Sequence, residues 1–189
     1  MSPQLAPETD RLIERVNTLL RRPTSPAPFE LAQLDGAIRR LSNVGIAVSQ
    51  CFRGIYYALQ GDLANTTKWF DMALCADPAN HDVYLNYAAS LCRFGQYEQA
   101  VKIVFDCISR GAYTPESLDS LLLCAYYGDD HAVLDEWLPK YEKLTGKPHD
   151  AVTWLMEDAE DEVEIKELRD EIRNGPYISL DQIRKELEL

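Results

Sequence analysis

The chain has 189 residues, 46% of them apolar, with 19 basic against 31 acidic side chains and a net charge of −12. That length holds one compact domain or a short array with extensions, and the charge argues against direct nucleic-acid binding, which needs clustered Lys and Arg. No stretch approaches the ~18 uninterrupted apolar residues of a membrane span, and the polar start MSPQLAPETD lacks the regions of a signal peptide. Five scattered cysteines without a CxxC motif fit the same expectation, a cytoplasmic protein.

In chain order, ETDRLIERVNTLLR (8–21) places Leu12, Ile13, Val16, Leu19 and Leu20 on one face of a helix. RRPTSPAPFE comes next, with three prolines in six residues, and reads as a bend. A second helix is expected over 29–42, with Phe29, Leu31, Leu34, Ile38 and Leu41 apolar. Residues 1–46 thus form a helical extension, either a cap on the helices beyond it or a dimerisation arm.

From residue 47 the sequence repeats with a period of 34. Gly54 falls on Ala88, Tyr57 on Leu91, Gly61 on Gly95, Phe70 on Val104 and Ala73 on Cys107, without a gap across 47–80 and 81–114. Pro78 ends the first unit, because proline cannot continue a helix. A third unit, 115–148, is expected from the stripe Leu118, Leu121, Leu122, Ala125, the turn Gly128-Asp129-Asp130, and Val133, Leu134, Trp137, Tyr141. A one-residue slip near that turn sets it apart.

On these residues the chain resembles the tetratricopeptide repeat (TPR) family. The resemblance implies an all-α fold: a short right-handed superhelix of antiparallel helix pairs, with helical N- and C-terminal extensions. Three departures stand out: Thr66 where the family usually has alanine, Ala112 where Pro78 has its counterpart, and Gln50 where an aromatic is usual. In such an array the first helix of each pair lines a concave wall. Here that wall is Cys51, Ile55, Ala58 and Leu59, then Leu85, Asn86, Ala89 and Arg93, then Ser120, Leu123, Tyr126 and Tyr127. An extended peptide or a helix would lie there, or the chain's own N-terminal helices or acidic tail would fill it. The carboxylate clamp of chaperone-binding relatives is not expected, since its first-unit Lys and Asn slots hold Cys51 and Ile55.

Residues 149–189 change character. Glu157–Arg173 holds nine acidic and three basic residues around Val163, Ile165, Leu168 and Ile172, and Asn174-Gly175-Pro176 breaks it. In YISLDQIRKELEL, Ser179 and Gln182 form a capping box for a short final helix with Leu180, Ile183 and Leu187 along one side. This acidic arm is expected either to seal the last repeat or to lie on a partner. The ending resembles the toxin-binding tails of small bacterial antitoxins, which implies anchors at Ile178, Leu180, Ile183 and Leu187.

No catalytic or ligating constellation stands out. His81, His131 and His149 read as exposed helix-start residues without HExxH spacing, and Cys75, Cys92, Cys107 and Cys124 as buried small hydrophobes. GxSxG, GxGxxG and EF-hand patterns are absent. The expectation is a non-enzymatic protein without metal or cofactor that binds and sequesters a basic or amphipathic protein or peptide, in one version as an antitoxin or immunity protein. A type III secretion chaperone holding a translocator client in the groove is the first alternative. A scaffold subunit or homodimer is the second.

Overall fold

The computed structural model describes residues 7–20, 25–41 and 45–174, which contain helices and no strand. The helices are α1 (Pro7–Leu20), α2 (Pro28–Arg40), α3 (Ile46–Gln60), α4 (Leu63–Ala76), α5 (His81–Arg93), α6 (Tyr97–Ser109), α7 (Pro115–Tyr127), α8 (His131–Thr145) and α9 (Asp150–Asn174). None of them is long and apolar enough to cross a membrane. The chain divides into two compact units, one ending at Pro148 and one beginning at His149.

In the first unit the fold is all-α and repeat-like. Helices pack in adjacent pairs, α3 with α4, α5 with α6 and α7 with α8. The pairs join through α4–α5 and α6–α7, and the leading helices stack directly, α3 on α5 and α5 on α7. The second helices of the three pairs start at Leu63, Tyr97 and His131, each 34 residues from the last.

The slip expected in the third unit is not there. Gly61 (φ 77°), Gly95 (φ 69°) and Asp129 (φ 55°) take the left-handed position of their turns at the same interval. Gly128 only mimics the turn glycine, since its own φ is −91°. Aspartate is among the few side chains that tolerate this region.

The third unit looks degenerate because bulk is traded between neighbouring core positions. The series Gly54, Ala88, Leu122 grows along the chain, while Tyr57, Leu91, Ala125 shrinks. Total volume is what close packing constrains, so such exchanges are tolerated. Phe70, Val104, Ala73 and Cys107 are fully buried, as their spacing predicts. Thr66 is buried too, and its hydroxyl donates to the Asp62 carbonyl at 2.7 Å, which accommodates the departure from alanine. Side-chain caps fix several helix starts: Asp62 accepts from the Asn65 amide, Thr114 from Ser117 and Asp130 from Val133.

At the N-terminal end α2 packs on α3, and α1 on both. Leu12, Val16, Leu19, Leu34 and Ile38 are buried as expected, whereas Phe29 is 65% exposed and takes no part in the core. Arg53 reaches Asp35 at 3.4 Å, tying α3 to α2.

In the second unit, α9 is one continuous 25-residue helix that contains the acidic run. Its start is capped by the His149 ring, whose Nδ1 accepts the Ala151 amide at 3.0 Å. Val163 and Ile165, expected on an apolar face, are exposed. The helix is described as far as Asn174, and Gly175 and Pro176 of the expected break lie outside the described residues. Ile178, Leu180, Ile183 and Leu187 lie outside the described residues.

Candidate interaction surface

Two ladders of equivalent side chains run across the leading helices at the 34-residue interval. One is Ile55, Ala89, Leu123; the other is Leu59, Arg93, Tyr127. The first rungs are buried and the later ones are not. Ile55 and Leu59 are each 2% exposed, Ala89 and Arg93 are exposed, Leu123 is half-buried and Tyr127 is 58% exposed.

The first rungs correct the sequence reading. Ile55 and Leu59, expected to meet a partner, are core residues beneath the N-terminal extension. Ile13 and Val16 of α1 face Cys51, Phe52 and Ile55 across a cavity of about 350 Å³ that reaches Asp82 and Asn86 on α5. Pro26 and Leu31 line a second, open cavity together with Ala58, Leu59 and Arg93. The amphipathic α1 therefore lies on the same wall that the ladders define.

Two more of the expected residues are half-buried and partly engaged within the fold. Leu85 packs against Tyr84, Cys107 and Ala112, so it serves the core between α5 and α6. Asn86 is half-buried and its side-chain amide donates to the Asp82 carbonyl at 2.8 Å, which engages one of its donors within its own helix.

The open end of the wall is aromatic. Tyr127 stacks on Tyr97 of α6 (ring centroids 6.3 Å apart) and meets Tyr126 edge to face at 5.4 Å. The sequence reading missed Tyr97, whose signal was its place in the first turn of α6, opposite the end of α7. Beside it, Glu98, Val101, Cys124, Asp129, Asp130 and His131 line a cavity of about 460 Å³. Lys102 pairs with Glu98 at 2.6 Å and holds its carboxyl below the ordinary value. The result is tyrosine surface flanked by carboxylates, suited to an apolar segment followed by a basic residue.

Other polar expectations also shift. His149, read as exposed, is buried and caps α9. Cys75, read as buried, is exposed on α4. Burial pushes the Cys51 thiol up to about 12 and Cys107 to about 11, so both are poor nucleophiles. Among the described residues, three or more His, Cys, Asp or Glu side chains nowhere converge as metal ligands.

No family model matches the chain. A protein of Haemophilus influenzae described only as uncharacterized is 24% identical over 94 residues. That match covers 49% of this chain and 52% of the other, so the chain spans about half the length of the curated relative.

Proposed function

We propose that this chain is a non-enzymatic, TPR-like interaction module of the cytoplasm that sequesters a partner protein. It grips an amphipathic, basic segment of that partner on the leading helices of its second and third pairs. The observation behind this reading is the ladder pair, buried at the first rungs, half-buried at Leu123 and exposed at Ala89, Arg93 and Tyr127. Two features support the choice of partner. The wall already holds one amphipathic helix, α1, at its other end. Asp129 and Asp130 beside the tyrosines, on a chain of net charge −12, favour encounter with a basic surface.

The test is co-purification from the native host, with the partner identified by mass spectrometry and then titrated against variants. Leu123→Asp with Tyr127→Ala is expected to weaken binding at least tenfold while circular dichroism stays unchanged. Removing residues 175–189 is expected to leave affinity within about threefold. The reverse pattern, with binding lost on truncation and kept in the double variant, would move the interface to the tail and favour the antitoxin version.

A further inference from the structure

The sulfurs of Cys92 on α5 and Cys124 on α7 lie 3.3 Å apart, 32 positions from one another in sequence. Both belong to leading helices, so this contact spans the junction between the second and third pairs. Cys92 is half-buried and so within reach of a small oxidant, whereas Cys124 is buried behind it at the wall of the 460 Å³ cavity beside Tyr97. The other three cysteines are Cys51 and Cys107, both buried, and Cys75, exposed on the opposite helix of the first pair.

We propose that Cys92 and Cys124 form a redox-active dithiol that closes to a disulfide with hydrogen peroxide, cross-linking α5 to α7. The Cys92 sulfur attacks one peroxide oxygen, the O–O bond breaks, and Cys92 sulfenic acid and one water result. The Cys124 sulfur then attacks the sulfenic sulfur and expels the hydroxyl as a second water. In sum two thiols are oxidised, one peroxide is reduced to two waters, and one S–S bond is formed. The order of attack follows exposure, Cys92 being half-buried and Cys124 buried. In keeping with that order, the contact between the two sulfurs draws the Cys92 thiol below its ordinary value and pushes Cys124 above it. Cys92 is thus the attacking group and Cys124 the resolving one. The inference is independent of what the chain binds.

The experiment uses the full chain carrying Cys75→Ser, which removes the competing exposed thiol. Treatment with hydrogen peroxide, denaturation and alkylation should show two thiols lost per chain, a 2 Da mass decrease, and a linkage between the peptides bearing Cys92 and Cys124. Dithiothreitol should reverse all three. The oxidised chain should melt at a higher temperature than the reduced one. Adding Cys124→Ser should abolish the linkage and leave Cys92 as a sulfenic acid labelled by dimedone. Full alkylation of both cysteines after peroxide, oxidation of Cys92 to sulfinic acid without linkage, or disulfides only between chains would each overturn the proposal.

Discussion

Placing the same methyl group on two helical glycines should give opposite results. Gly→Ala inside a helix stabilises by roughly 0.5–1 kcal/mol. At Gly36 a Cβ would meet only the Arg40 Nη1 at 3.5 Å, ordinary contact, so Gly36→Ala should show that full gain. At Gly54 a Cβ would lie 2.6, 2.7 and 3.0 Å from three carbons of the Phe70 ring. Phe70 is fully buried and stacks on Tyr87, centroids 4.8 Å apart and planes 7° from parallel. The ring cannot retreat without opening the α4–α5 contact. Overpacking of this kind costs about 1–3 kcal/mol; less the helical gain, Gly54→Ala should be less stable by about 0.5–2 kcal/mol. That is roughly 2–4 °C in melting temperature per kcal/mol for a chain of this size. Urea denaturation followed by far-UV circular dichroism measures both variants. Adding Phe70→Leu to Gly54→Ala should recover part of the loss, an interaction energy that a double-mutant cycle isolates. A Gly54→Ala variant as stabilised as Gly36→Ala would refute the close approach of α3 and α4 on which the repeat rests.

Asp129→Gly should raise stability by about 0.5–1 kcal/mol, since glycine occupies the left-handed region without a Cβ penalty; a loss in urea titration would contradict the shared turn. Thr114→Ala should cost about 1 kcal/mol through loss of the α7 cap, and Thr114→Asn much less. The Asn65 amide and, next, its side chain hold the Asp62 carboxyl below its ordinary value. A depressed acid adds stability above its unfolded pKa and loses it as pH falls through the folded one. Stability of Asp62→Asn should therefore fall less steeply than wild type as pH drops through the carboxylate range; parallel curves would refute the cap's charge. With a thiol reagent near neutral pH, the exposed Cys75 should react first and the buried Cys51, Cys107 and Cys124 last, a sequence that peptide mapping reads directly.

The helices were legible because their signals are local. Gly61, Gly95 and Asp77-Pro78 punctuate the first two pairs, and the small–large alternation of Gly54 with Phe70 repeats as Ala88 with Val104. The third pair was legible in its stripes and misread in its register. Gly128 attracts the eye as a turn residue, but a Cβ there would lie 2.7 Å from Tyr97 Cβ, so it is glycine for packing rather than for φ. The wall was half legible. Periodicity gives which residues share a face, and so found both ladders. It cannot say what lies on that face, and α1 covering Ile55 is a tertiary outcome. Cys75 and His149 were misassigned for the same reason, since burial of a short polar or sulfur side chain depends on neighbours remote in sequence.

The central claim, that a partner lies along the open end of this wall, is tested most directly by site-specific photocross-linking. A benzophenone amino acid would be placed at Ala89, at Tyr127, at Met72 on α4 and at Met156 on α9, all of them exposed. Irradiation with the co-purified partner should give adducts from positions 89 and 127 and none from 72 or 156. Adducts confined to position 72 or 156, with none from 89, would contradict it.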